Sequence, residues 1–318
     1  MSADLPKRIE IHEEGPREGF QFEREIFPLA DRVAFVDALT ETGLQQIQVA
    51  SFVSPKAVPQ MADAEAFFAA VRKKPGVRHT GLWLNEAGFG RARQCSGIDL
   101  VGSLYLYTTD AFSQRNNGCT AAEMRQRQES WIDRYDALGI EIEAVYIMTV
   151  FGCALQGEVP LSALDENLDW IARQFSDKGR TLPAIYLADT VGWAVPTMIE
   201  SRIGRVRERF PDARIGLHLH DTRGVGIANF LAALRMGVDL YDSSVAGLGG
   251  CPFAGHSHGA AAGNVCTEDM VYMAHEMGIE TGINLELLIE AARMAERMIG
   301  RTLAGRLMHA GLPRRVTN

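Results

Sequence analysis

The sequence predicts an α/β protein, a (β/α)8 TIM barrel with additional C-terminal helices, running over residues 1–318 as a single domain. Three observations carry this. Short apolar runs with strand character recur along the whole chain. Helix-length amphipathic segments separate most of them. Polar residues gather just after the runs, where a barrel of this kind keeps its chemistry.

The strand-like runs, in order, are Ile9–Ile11, Gln46–Ala50, Arg78–Trp83, Leu100–Tyr107, Ile142–Val150, Ala184–Leu187, Arg214–His220 and Leu240–Val245. Between them, Leu29, Val33, Val36 and Leu39 fall near one stripe of a helix. Ala121 to Leu138 carries many charges on its outer face, and Thr197–Phe210 and Ile227–Met236 behave similarly. Thr267–Met277 and Leu285–Ile299 follow the eighth run and add two helices that close the barrel or pack on a partner subunit. No Gly/Ser/Pro linker, charge block or internal repeat divides the chain.

Composition narrows the function classes. Hydrophobic content of 47% and charged content of 23% are ordinary for a soluble globular protein. A net charge of -8 and a pI near 5.6 argue against a nucleic-acid surface, which needs a basic patch. No apolar run has the length of a membrane span, and the N-terminal residues lack an apolar signal core. Five cysteines without CxxC spacing read as reduced thiols, which suits a cytoplasmic protein.

The chemistry concentrates in a few segments. In His218-Leu219-His220-Asp221-Thr222, residues i and i+2 of a strand point to one face, so two imidazoles can aim at one divalent metal. A pair of satisfied core histidines would look the same, and the clusters at other strand ends favour the metal. Glu13-Glu14-Gly15-Pro16-Arg17-Glu18-Gly19 follows the first strand. Its glycines are expected to free the backbone so that Arg17 and Glu18 turn inward, Arg17 to stabilise an enolate oxygen and Glu18 to ligate a cation. Gly247-Leu248-Gly249-Gly250-Cys251-Pro252 suits a mobile lid that brings a thiol to substrate. Asn264 is either the N-cap of the Thr267 helix or a carbonyl donor to a metal. His256 and His258 read as solvated loop residues. Cys95, Cys119 and Cys266 read as packing residues.

Together these segments resemble the 3-hydroxy-3-methylglutaryl-CoA lyase family, within a wider superfamily of metal-dependent barrel lyases and synthases. The matching stretches are Glu14-Gly15-Pro16-Arg17, Ser51-Phe52-Val53-Ser54-Pro55-Lys56, Val58-Pro59-Gln60-Met61, His218 to Thr222, Asp242 to Pro252, and Gly263-Asn264 with Thr267-Glu268-Asp269. The resemblance runs from about Pro6 to Ala292. It implies that Glu18, His218, His220 and Asn264 ligate Mg2+ or Mn2+. It implies that Arg17 polarises a thioester carbonyl, that Cys251 moves a proton from the lid, and that Asp189 and Gln48 lie at the site. Lys56 and Arg24 would help hold coenzyme A phosphates. The partner implied is an acyl-CoA thioester, cleaved to acetyl-CoA and a keto acid by a homo-oligomeric enzyme.

The pattern departs from the family at three places. Glu18 stands where the family has aspartate. Gln48 stands where it has glutamate, and an amide does no acid–base work. The loop between Cys251 and Asn264 is longer and carries His256-Ser257-His258. These changes leave a citramalyl-CoA or another branched 3-hydroxyacyl-CoA as an alternative substrate. A Claisen-type synthase fits less well, because such enzymes usually carry a C-terminal regulatory domain and lack the Gly-Gly-Cys-Pro lid. A non-catalytic metal-binding homologue is disfavoured by the lid cysteine and both histidines.

Overall fold

The computed structural model describes residues 5–250 and 263–313. Strands and helices alternate in the expected order. They are β1 (Glu10–Glu13), α1 (Gly15–Phe22), α2 (Leu29–Thr40), β2 (Gln46–Ser51), α3 (Ala64–Ala70), β3 (Arg78–Leu82) and α4 (Glu86–Gln94). Next come β4 (Gly102–Tyr107), α5 (Asp110–Asn117), α6 (Ala121–Leu138), β5 (Ile142–Met148), α7 (Leu161–Gln174), β6 (Ala184–Ala188) and α8 (Pro196–Arg209). The chain continues with β7 (Ile215–His218), α9 (Gly226–Arg235), β8 (Leu240–Ser243), α10 (Thr267–Glu276), α11 (Leu285–Ile299) and α12 (Leu307–Ala310).

The chain forms two compact units. Of the described residues, one holds 5–9, 100–242 and 250. Its parallel strands run in the order β8-β7-β6-β5-β4. Tyr105, Tyr146 and Tyr186 stack across β4, β5 and β6, with ring centroids 5.5 and 4.4 Å apart. Such pairs add about 0.5–1.5 kcal/mol each beyond their buried area, and here they lock the relative register of three strands. On its helical layer, α6 begins with a capping box between Thr120 and Glu123 and ends at the left-handed Gly139.

The other unit holds, of the described residues, 10–99, 243–249 and 263–313. Its strands run β3-β2-β1, with a register shift in β2 between Gln48 and Ala50. The buried Arg32 bridges the layers of this unit. Its Nε donates to Phe27 O at 3.1 Å, it pairs with Asp63, and its guanidinium lies over the Phe67 ring. Leu285, Leu288, Ile289, Ala292 and Ala295 are buried on one stripe of α11, which packs on α2. Leu288 and Ile289 alone contribute roughly 1.5–3 kcal/mol each by this burial. Asn284 caps α11 by accepting from Leu287 N at 3.1 Å. The two predicted C-terminal helices are therefore part of this unit's core.

Two expectations are corrected. The Gly15–Gly19 segment is a helix, not a loop. Pro16 sits at its start, where a missing N–H costs nothing. The glycines serve close approach rather than flexibility: a Cβ at Gly15 would lie 2.5 Å from Glu13 Oε1, and one at Gly19 would lie 2.9 Å from Leu248 Cβ. Strand β7 ends at His218, so His220 lies beyond it in a single bridge position.

Candidate active site

In the unit that holds β4 to β8, both histidines of the HxH pair are buried, with ring centroids 5.1 Å apart. The i, i+2 relation survives the early end of β7. His220 Nδ1 is 2.9 Å from the carbonyl oxygen of Asp189, which can only accept. Nδ1 therefore carries the proton and Nε2 keeps its lone pair. His218 Nδ1 faces the Asp242 carboxylate at 3.2 Å, which fixes the same tautomer. Both rings thus hold Nε2 in the state a metal ligand needs, oriented by an oxygen behind the ring. Asp242 was not assigned a role from the sequence. Its signal was its place at the end of β8.

Asp189 follows β6, as expected. Its Oδ1 accepts from Trp193 N at 2.7 Å and Ala194 N at 3.1 Å, so one oxygen orders the turn into α8. Oδ2 is buried with no hydrogen-bond partner among the described residues. Burial raises the carboxyl to about 7, against the pull of those two amides.

In the unit that holds β1 to β3, α1 presents Arg17 and Glu18 in its first turn. Arg17 Nη2 pairs with Glu14 at 2.6 Å and with Glu18 at 2.9 Å, and its Nε donates to Gln48 Oε1. Three acceptors thereby fix the plane of the guanidinium. Gln48 lies at the register shift of β2, which turns its side chain toward Arg17. Glu14, buried, is a member of this cluster that the sequence reading left without a role.

Asn264 belongs to the same cluster. Its Nδ2 donates to Glu18 Oε2 at 2.5 Å and to Leu248 O at 3.2 Å. Its Oδ1 is buried with no hydrogen-bond partner among the described residues. Of the two readings of Asn264, the helix cap is excluded, because Cys266 occupies the N-cap of α10. A buried amide oxygen left over beside a carboxylate fits a hard divalent cation, whose ligands are oxygens and imidazole nitrogens.

The remaining predicted residues divide. Lys56 and Arg24 are exposed on the segments after β2 and α1. Cys119 and Cys266 are buried, in keeping with packing roles, and Cys95 is half-buried; Cys153, given no role from the sequence, is buried too. Cys251, His256 and His258 lie outside the described residues.

Comparison with known proteins gives the family and the fold. Residues 8–295 match the HMGL-like family model. The chain is 35% identical over 307 residues to a Pseudomonas aeruginosa protein described as a 3-hydroxy-3-isohexenylglutaryl-CoA/hydroxymethylglutaryl-CoA lyase. That match covers 96% of this chain and 98% of the relative. Among solved structures, the HMG-CoA lyase of Bacillus subtilis superposes with a TM-score of 0.88 at 31% identity, covering 97% of this chain and 99% of the other. An HMG-CoA lyase from Acinetobacter baumannii, in complex with coenzyme A and 3-methylmalate, gives 0.85 at 29% identity, covering 100% and 99%. The fold is the (β/α)8 barrel of these lyases, and the chain belongs to the HMGL-like family.

Proposed function

We propose that this protein is a divalent-cation-dependent carbon–carbon lyase that cleaves a 3-hydroxyacyl-CoA into acetyl-CoA, or a close relative, and a keto acid. Membership of a family of hydroxymethylglutaryl-CoA lyases supports the enzyme class. The observation that carries the finer reading is the buried, unpartnered Oδ1 of Asn264 beside the Glu18 carboxylate. With the Nε2 lone pairs of His218 and His220, these oxygens make a donor set suited to Mg2+ or Mn2+. When bound, the cation supplies positive charge that lowers the pKa of a chelated hydroxyl.

The chain's own residues do the rest. The 3-hydroxyl loses its proton, its oxygen becomes a carbonyl, and the bond between Cα and Cβ breaks. The electron pair moves onto the thioester as an enolate. Arg17, its plane held by Glu14, Glu18 and Gln48, offsets the negative charge on that thioester oxygen. Cys251 delivers a proton to the enolate carbon, a step of the kind worth about 10²–10⁴-fold. Asp189 keeps one carboxylate oxygen available near neutral pH for proton exchange. Lys56 and Arg24, both exposed, suit the phosphates of coenzyme A.

Glu18 and Gln48 support a second reading of the substrate, a 3-hydroxyacyl-CoA bulkier or more polar than the methylglutaryl compound, citramalyl-CoA included. The P. aeruginosa relative is named for two acyl groups, so the scaffold tolerates variation there. Among the described residues no helix is long and apolar enough to cross a membrane, and we expect a homo-oligomer working in the cytoplasm. The test is a panel of hydroxyacyl-CoA thioesters assayed with Mg2+ and Mn2+ for release of acetyl-CoA. No release from any member, with cation added, rejects the lyase assignment.

A further inference from the structure

Two buried carboxylates that the proposed chemistry does not use converge on one short turn, Val245–Gly247. Glu13, at the end of β1, accepts from Val245 N at 2.9 Å and Gly15 N at 2.8 Å through Oε1. Its Oε2 accepts from Thr267 Oγ1 at 2.6 Å, and Ser243 Oγ bonds Thr267 in turn at 2.8 Å. Glu268, on α10, accepts from Ala246 N at 3.0 Å. Both carboxylates are fully buried. Two successive amides of one turn are therefore each held by a different acid.

The turn needs holding. Ala246 has φ 57° and ψ 13°, the left-handed region, without being glycine. That conformation is strained for an L-residue, whose Cβ crowds the following carbonyl oxygen. Strain of this kind persists only where the surroundings impose it, and it gathers at functional sites. Ala246 is clamped from its other end as well, since its carbonyl accepts from Ala304 N at 3.2 Å. The residues that follow are placed by this turn. Leu248 packs on Gly19, and its carbonyl accepts from Asn264 Nδ2. Gly249 lies directly on Glu18, so closely that a Cβ there would come within 2.6 Å of Glu18 Cβ.

We propose that Glu13 and Glu268 are positioning residues that hold Val245–Gly247 in its left-handed turn and thereby fix Leu248 and Gly249 against the Glu18–Asn264 pair. The consequence for cation binding rests on the assignment of Glu18 and Asn264 as ligands; the consequence for the turn does not. Desolvation supports the arrangement. It raises Glu268 to about 8 and Glu13 to about 7, so Glu268 in particular acts as a neutral acid near neutral pH. A glutamine at 268 then mimics it.

The test compares Glu268→Ala, Glu268→Gln and Glu268→Ala combined with Ala246→Gly in the full chain. Two readouts are used, Mn2+ affinity and amide hydrogen exchange over residues 245–249. Glu268→Ala should weaken Mn2+ binding about tenfold and speed exchange at Ala246 and Leu248. Glu268→Gln should retain both properties. Ala246→Gly should restore several-fold of the lost affinity, because glycine takes a positive φ without the Cβ penalty. Wild-type exchange and wild-type Mn2+ affinity in Glu268→Ala would overturn the proposal, as would a loss that neither Gln nor the glycine rescues. If Glu268→Ala does not fold, Gly305→Ala replaces it. There a Cβ would lie 2.0 Å from Glu268 Oε1, displacing the acid without deleting it. It should give the same faster exchange, and unchanged exchange refutes the positioning role. A wild-type protein that binds no Mn2+ would sink the cation reading alone, and the exchange data would still decide this one.

Discussion

Replacing Asn264 by aspartate tests whether its leftover oxygen faces a cation. Nδ2 donates to Glu18 Oε2, and both side chains are largely buried. The substitution exchanges that donor for a second carboxylate oxygen. Two unit charges about 4 Å apart repel by about 4 kcal/mol at an effective dielectric near 20. Loss of the bond to Leu248 O adds about 1 kcal/mol. Without metal, Asn264→Asp should therefore be less stable by about 5 kcal/mol, or roughly 7–8 °C in melting temperature for a chain of 318 residues. A divalent cation between the two carboxylates turns that repulsion into binding.

Asn264→Ala separates the effects. It loses both hydrogen bonds, at about 2–4 kcal/mol together, but adds no charge. The assay is thermal unfolding in chelator and again in saturating Mn2+. The rise caused by Mn2+ should be largest for the aspartate variant, intermediate for the wild type and smallest for the alanine variant. Equal rises in all three would refute the assignment of Asn264 as a ligand. A destabilised aspartate variant that Mn2+ fails to rescue would do the same.

Three further outcomes are expected. His220→Ala should remove most bound metal and nearly all turnover, and a metal-replete, fully active variant rejects the HxH assignment. Cys251→Ser should keep the wild-type melting temperature and lose turnover; retained turnover would show that the glycine-rich segment only covers the site. Burial holds the folded Glu268 at about 8, above its ordinary 4.5, with Asp269 and Glu13 adding like charge. A raised acid binds its proton more tightly in the folded state, so this contribution is complete below about pH 4.5 and is lost as pH rises toward 8. The wild type should lose melting temperature from pH 5 to 8 more steeply than Glu268→Gln, as followed by calorimetry, and parallel curves would contradict the burial-driven shift.

The alternation of strands and helices was legible because its periods are local. The strand-like runs correspond to the eight strands to within about three residues at their ends. Helix α1 was missed because its Gly and Pro read as breakers, whereas Pro16 sits in the first turn, where its missing N–H leaves no intrahelical bond unmade, and both glycines exist for contact. Helices α3, α4, α5, α7 and α12 were also missed. Apart from α7, they are short or carry mixed stripes and depend on tertiary packing; α7 carries a legible stripe, Leu164, Leu168 and Ile171, that the reading passed over. In the site, the HxH pair and Arg17 were legible as residue types at strand ends. Glu13, Glu14, Asp242 and Glu268 were not assigned. Glu13, Asp242 and Glu268 act on backbone amides and side chains 22 or more residues away, which no local spacing encodes; Glu14 meets Arg17 at i,i+3, a relation that became readable only once the segment was known to be a helix.

The structure also bears on why an amide at position 48 is compatible with this site. Arg17 already meets two carboxylates, Glu14 and Glu18, both largely buried. A carboxylate at 48 would place a third negative charge on one guanidinium. Each added pair of like charges about 6 Å apart costs roughly 2–3 kcal/mol at an effective dielectric near 20, against about 4 kcal/mol gained with the arginine. The two repulsions cancel the attraction, so a third acid there would gain no net stabilisation from the arginine. Glutamine supplies the same hydrogen-bond acceptor without that conflict. The longer Glu18 brings its carboxylate back to both Arg17 and Asn264. Against the family resemblance, the exchange of a carboxylate for an amide at 48 therefore leaves the orientation of the arginine intact, held by Glu14, Glu18 and Gln48. Comparison of kcat/KM for methylglutaryl-CoA, citramalyl-CoA and a longer-chain analogue measures which acyl group that exchange serves. Preference for another acyl group is the expected result. A clear preference for methylglutaryl-CoA, with Gln48→Glu raising it further, would show that the amide is a loss rather than a refitting.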